Sequence, residues 1–246
     1  MKLVAIMAKH PVPGLAKTRL ASTTGELFAA RLAEAFLRDL SARLSSTANQ
    51  LLLAFTPGTP ESRQFFQDVA TPSGSLTWQQ PEGTLGHRLA SLVDHAFSQL
   101  DAKQVVIIGS DSPTLPTSMV EQAFQQLADH DVVLSPAADG GYVLIGFSRP
   151  LSSVFENIAW STSRVLEQTR DQLQSAGASW LELPGWYDVD SAADLDRLRL
   201  ELETTTSASG AGGKGVEASG ECPCPLTMRL LSESRTDVWD TRVLDQ

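Results

Sequence analysis

The stretch at residues 105–116, VVIIGSDSPTLP, constrains this chain more than any other. Val105, Val106, Ile107 and Ile108 form an unbroken β-branched run, the pattern of a strand covered on both faces inside a parallel sheet. The run stops at Gly109. Asp111 follows, with Pro113 and Pro116 stiffening the chain behind it. In open α/β sheets ligands collect beyond the carboxyl ends of the strands, so a carboxylate here stands where chemistry is usually done. Hard oxygen ligands at a strand end suit Mg²⁺ or Mn²⁺. The alternative for Asp111 is an Asx turn that caps its own loop.

The flanking sequence alternates strand and helix patterns. Further strands are expected at residues 2–8, 51–55, near 76, 132–134, 141–147 and 180–183. Phe28, Leu32, Phe36, Leu40 and Leu44 recur at helical spacing, as do Leu85, Leu89, Leu92, Val93, Ala96, Phe97 and Leu100. Shorter helices are expected at 61–69, at 117–128, from 161–163 onward, and from 191 through about 202. Thr23 with Glu26, Ser118 with Glu121, and Ser191 with Asp194 have the spacing of capping boxes. This alternation predicts an α/β fold, a mostly parallel sheet with helices on both faces. DVVLSP and GGYVLIGF are too close together for a crossover helix, so they pair antiparallel or diverge, and the sheet is mixed.

A chain of 246 residues fits one large domain or two small ones. From residue 204 the composition turns to Gly, Ser, Ala and Thr, with too little apolar surface to order itself. A core over 1–203 and a poorly ordered linker and tail over 204–246 are therefore expected. The two cysteines, Cys222 and Cys224, lie in that tail, where they cannot staple the core and lack the partners of a structural zinc site. Acids outnumber bases by 29 to 19, which argues against a general nucleic-acid binder or a binder of anionic membranes. With no run of membrane-spanning length, the reading is a cytoplasmic protein that meets phosphates through local basic residues, backbone amides or a metal.

Several other stretches carry chemistry. Lys17 and Arg19 follow a Pro-restricted loop just past the first strand, where they either grip phosphate oxygens or stand as solvated charge. The glycine spacing of a phosphate-binding P-loop or a dinucleotide fingerprint is absent there. Asp188 and Asp190 flank Val189, and in extended chain both carboxylates share a face. They either address one ion or favour the following helix N-terminus. Asp139, Gly140 and Gly141 form either a ligand-facing backbone or a tight turn between strands. Gly86 and Arg88 open a helix, a place that attracts anions. Ser161 and Thr162 offer hydroxyls at another helix start, for which N-capping is the simpler account. His10, His87, His95 and His130 have no metal-ligand spacing and read mostly as solvated.

Taken in order, IMAKHPVPGLAKTRL, GTLGHRL, GSDSPTLP, ADGGYVLIGF, WSTSRVLEQT and DVDSAADL resemble the GT-A-type nucleotide-diphospho-sugar transferases. Within them the chain is most similar to the glycosyltransferase-like branch related to 2-phospholactate guanylyltransferase, some members of which are assigned to arsenosugar biosynthesis. The resemblance covers about residues 1–203. It implies a single Rossmann-like domain that uses a nucleoside triphosphate or nucleotide sugar, a small-molecule acceptor and a divalent ion, Mg²⁺ or Mn²⁺. By motif position, Lys17 and Arg19 would meet the phosphates, with Lys17 and Asp111 catalytic. Asp111, Asp188 and Asp190 would hold the metal, Gly86 and Arg88 would lie toward the nucleotide, and Asp139, Gly140, Gly141, Ser161 and Thr162 toward the acceptor. Thr84 stands where such proteins often carry an acid. The implied activity is glycosyl transfer, with guanylyl transfer to a small phosphorylated acid or non-catalytic nucleotide binding as the alternatives.

Overall fold

A computed structural model describes residues 1–210 and 224–237. Its strands are β1 (Lys2–Lys9), β2 (Gln50–Thr56), β3 (Leu76–Gln79), β4 (Gln104–Gly109), β5 (Val132–Pro136), β6 (Tyr142–Phe147) and β7 (Trp180–Glu182). Its helices are α1 (Thr18–Thr24), α2 (Glu26–Leu44), α3 (Pro60–Ser73), α4 (Leu85–Ser98), α5 (Thr117–Gln126), α6 (Val165–Ser175), α7 (Ala192–Gly210) and α8 (Pro225–Asp237), with a 3-10 turn at Ser152–Phe155. The chain divides into two compact units, Met1–His10 with Ser41–Asp188, and Pro11–Leu40 with the chain from Val189 onward.

The first unit holds the sheet, in the order β3-β2-β1-β4-β6-β5-β7. β6 runs antiparallel to both β4 and β5, and the other pairings are parallel, so the sheet is mixed as the short gap before GGYVLIGF predicts. β4, the β-branched run, is central and buried from Val105 to Ile108. Alternation along the strands divides the core. Leu3, Ala5, Leu52, Ala54, Val105 and Ile107 pack against Leu89, Leu92, Val93 and Ala96 of α4, the 3-10 turn, and Leu166 and Leu173 of α6. On the opposite face Phe55 stacks on Phe66 of α3 at 4.9 Å, and Lys2 Nζ lies 5.3 Å from the ring of Phe124 on α5. Each buried Val, Leu or Ile contributes about 1.5–3 kcal/mol relative to exposure.

Helix starts follow local backbone more than the spacing of polar residues. The Thr23 hydroxyl donates to Leu20 C=O at 3.0 Å inside α1, so no capping box forms with Glu26. α5 enters from Pro116 without a side-chain cap, leaving the Ser118–Glu121 spacing unused. α6 begins at Val165, later than the hydroxyl run suggests. Ser191 and Asp194 do cap reciprocally: Asp194 Oδ2 accepts from Ser191 N at 2.8 Å, and Asp194 N donates to Ser191 Oγ at 3.3 Å.

The second unit is helical. Leu32, Phe36 and Leu40 of α2 are fully buried, as are Leu195, Leu198 and Leu202 of α7 to within a few per cent. Asp39, 2 % exposed, accepts from Leu226 N at 3.1 Å, Thr227 N at 2.9 Å and Thr227 Oγ1 at 2.7 Å. This buried carboxylate caps the first turn of α8, where anions are favoured. Thus α7 continues past residue 203, and part of the expected tail is helix α8. Cys224 is buried, whereas Cys222, with the rest of 211–223 and 238–246, lies outside the described residues. Among the described residues no helix is long and apolar enough to cross a membrane.

Candidate active site

In the first unit the sheet order sets β1 beside β4, with onward connections that leave toward opposite ends of the sheet. Such a switch point opens a crevice at the carboxyl ends of the two strands. Gly109 pairs with Met7 there, and Asp111 is the first charged residue beyond it. Ser112, 2 % exposed, donates its hydroxyl to Asp188 Oδ1 at 2.5 Å. The Thr114 hydroxyl lies 3.5 Å from Tyr187 OH. The buried Ser112 therefore ties Asp188 to the loop that carries Asp111, across 76 positions of sequence. Arg43, which the sequence reading did not single out, donates from Nη1 to Pro113 C=O and from Nη2 to Leu115 C=O at 2.6 Å. Its one sequence signal is a basic residue in the last turn of α2.

The sequence-predicted acceptor residues also meet within this unit. Asp139 Oδ1 accepts from Gly141 N at 2.9 Å, the tight-turn alternative for that stretch. Gly140 has φ 90°, and a Cβ there would fall 2.2 Å from Ser163 O, so only glycine fits. Its carbonyl accepts from Leu166 N at 2.8 Å, which fixes the start of α6 to the β5–β6 turn. Ser161 has φ 63°. Thr162 does not cap α6; its hydroxyl donates to Ala159 C=O at 2.7 Å and accepts from Arg164 N at 3.3 Å. Gly86 packs the first turn of α4 against its neighbours, since a Cβ would lie 2.6 Å from Trp160 Nε1 and 2.8 Å from Phe155 O. Arg88 Nε donates to Gly83 C=O at 3.1 Å.

The second unit holds Lys17, Arg19 and Asp190. Val12 C=O accepts from both Leu15 N and Ala16 N at 3.0 Å, a turn that brings the chain to Lys17 in the left-handed conformation, φ 44° and ψ 50°. The Lys17 side chain is only 4 % exposed. Its Nζ donates to Val189 C=O at 2.7 Å, lies 3.7 Å from Asp190 Oδ1, and sits 5.2 Å from the centre of the Phe36 ring. Arg19 is the exposed cation, with its side chain 80 % exposed and Nη2 3.7 Å from Asp190 Oδ2.

Among the described residues no group of three or more His, Cys, Asp or Glu side chains is gathered to hold a metal. The histidines are also more occupied than expected. His10 stacks on Phe65 at 4.7 Å with Nδ1 2.9 Å from Ser62 Oγ, and His95 stacks on Trp78 at 5.1 Å, where burial lowers its pKa.

The fold has solved counterparts. A Desulfovibrio desulfuricans G20 protein, provisionally named a nucleotide-diphospho-sugar transferase, is 30 % identical over 96 % of this chain and 95 % of its own, with TM-score 0.80. The inositol-1-phosphate CTP transferase of T. maritima aligns over 83 % of this chain and 95 % of its own at 16 % identity, TM-score 0.56. A cytidylyltransferase of Leptospira borgpetersenii serovar Hardjo-bovis aligns over 96 % and 95 % at 12 % identity, TM-score 0.54. At those lower identities the likeness is one of fold. No curated protein matches the chain. The family described as "Uncharacterized protein conserved in bacteria (DUF2064)" matches residues 39–162, just over half of the sequence and the part that carries Arg43, Asp111 and Gly140. The chain belongs to the DUF2064 family.

Proposed function

We propose that the protein is a transferase that takes a nucleotide-activated donor, a nucleotide sugar ahead of a nucleoside triphosphate, and passes the activated group to a small-molecule acceptor. The observation that carries this reading is the Ser112–Asp188 hydrogen bond, which joins the Asp111 loop to a second acid at the carboxyl edge of the sheet. The similarity to the Desulfovibrio protein over nearly the whole chain supports it.

A divalent ion is proposed on the carboxylates of Asp111 and Asp188, since Mg²⁺ is usually bound by one or two carboxylates together with substrate oxygens and water. Mg²⁺ or Mn²⁺ bound there would offset the negative charge that grows on the leaving phosphate. Ser112 orients Asp188 by donating its hydroxyl to Oδ1. In the second unit Lys17 fixes Val189 and Asp190 from within. Arg19, being exposed, is the cation proposed for phosphate oxygens, which guanidinium binds bidentately. Asp190 is retained as a proposed ligand of the donor or its ion. Gly86 and Arg88 are proposed to lie toward the nucleotide, and Asp139, Gly140, Gly141, Ser161 and Thr162 toward the acceptor. No covalent nucleophile is invoked.

The test is a thermal-shift screen of sugar nucleotides and nucleoside triphosphates, with and without Mg²⁺ or Mn²⁺, followed by product analysis. A true ligand raises the midpoint by mass action. Nucleoside diphosphate released from a sugar nucleotide supports the proposal. Pyrophosphate released from GTP in the presence of a small phosphorylated acid would replace it with guanylyl transfer. Binding without turnover, unaffected by Asp111→Asn, would reduce the protein to a nucleotide binder.

A further inference from the structure

Arg43 has no part in the chemistry proposed above, yet both of its terminal nitrogens end on the loop after β4, on the carbonyls of Pro113 and Leu115. The same loop is also held by Leu115 N on Ser112 C=O at 3.1 Å, by the Ser112 hydroxyl on Asp188, and by the long Thr114–Tyr187 contact. Pro113 and Pro116 have no amide hydrogen to give. An arginine in the last turn of a helix ordinarily keeps its head in water and gains only from the helix dipole. Here the half-buried side chain delivers its guanidinium to two carbonyls two residues apart. The planar fork fixes their separation as well as their position, which a lysine ammonium cannot do.

We infer that Arg43 is a positioning residue for the Asp111 loop: its fork on Pro113 and Leu115 keeps Asp111 and Ser112 presented toward Asp188. This rests on the function proposed above for its purpose, though not for its geometry.

Hydrogen exchange of the metal-free protein reads the tether directly. In Arg43→Met the amides of Ser112, Thr114 and Leu115 exchange about 10- to 100-fold faster, the scale of losing charge-assisted hydrogen bonds, while those of β1 are unchanged. Arg43→Lys falls between the two and covers the case in which Arg43→Met does not fold. Mn²⁺ affinity, followed by electron paramagnetic resonance, drops about tenfold in Arg43→Met, the low end of the range for groups that orient metal ligands, and added guanidinium ion restores part of it. Unchanged exchange in the loop overturns the inference. So does exchange raised equally throughout the chain, or a loosened loop with undiminished Mn²⁺ affinity. Failure of the wild-type chain to bind Mn²⁺ or nucleotide counts against the proposed function and leaves the exchange result to decide the tether.

Discussion

Lys17 Nζ donates to the main-chain carbonyl of Val189 at 2.7 Å, across 172 positions of sequence. A cation that the sequence offers as a phosphate grip is in this way also an internal strut. Replacing it tests which role dominates. Lys17→Met leaves the Val189 carbonyl short of a donor, at a cost of about 1–3 kcal/mol. For a chain of this size each kcal/mol lowers Tm by roughly 2–4 °C. A calorimetric Tm equal to wild type, with only nucleotide affinity reduced, would make Lys17 a ligand contact and not a strut.

Asp111→Asn and Asp188→Asn keep shape and a hydrogen-bond acceptor but remove charge. Each is expected to lower metal-dependent turnover by about 100-fold or more, the scale of losing one electrostatic stabiliser, with Tm nearly unchanged. Steady-state kinetics against Mg²⁺ concentration checks this, and full turnover in either variant removes that residue from the site.

Asp39 is the anchor of α8. Asp39→Ala is expected to cost about 2 kcal/mol, the loss of a cap whose donors stay buried. A chain ended after residue 210 should lose more, because Leu230 and Leu231 of α8 are buried as well. Combining the two should add little, because both remove the same interaction. Urea unfolding of the four proteins measures the coupling, and strict additivity would show that α8 is held by other contacts.

Gly140→Ala places a methyl group where the Ser163 backbone already lies and forces φ 90° on a residue with a Cβ. The left-handed strain alone is about 1–3 kcal/mol. We expect a fall in Tm together with faster exchange at the Leu166 amide, which Gly140 C=O accepts.

Away from the site, Asp131 gives a pH signature. The Arg149 guanidinium, bonded at 2.6 Å, and the Ser179 amide at 2.9 Å hold its carboxyl down to about 2 from an ordinary 3.8. A folded pKa below the unfolded one stabilises fully above the unfolded value and is lost as pH falls through the folded one. The contribution therefore disappears between about pH 4 and about pH 2. Asp131→Asn should flatten that part of the acid limb in thermal unfolding, and an unaltered limb would show the pair to be energetically silent.

What the sequence discloses depends on how local the cause is. Val105 to Ile108 announce a central strand because β-branching and two-sided burial are written in consecutive residues, and the sheet bears this out. Capping signals are less decisive. Thr23, Ser118 and Ser191 share a spacing to an acid, yet only Ser191 is used; Gly25 ends α1 and Pro116 opens α5 before the other two pairs can act. Ser112 and Arg43 were invisible as contributors because their meaning lies in partners many residues away. A serine beside an aspartate shows nothing of Asp188, and a last-turn arginine shows nothing of Pro113 and Leu115. The burial of Lys17 was likewise unreadable, since Phe36 and Val189 supply it.

One strand against the grain has a practical use. Because β6 is reversed, its first residue stands at the rim where β4 ends, and its last, Phe147, pairs with Val105 and Val132 at the far rim. Pro150 is exposed just beyond that far end, so Pro150→Cys would give an attachment point there for a surface linker or fluorophore. A molecule grafted there would sit at the rim of the sheet opposite the end of β4 from which the Asp111 loop departs.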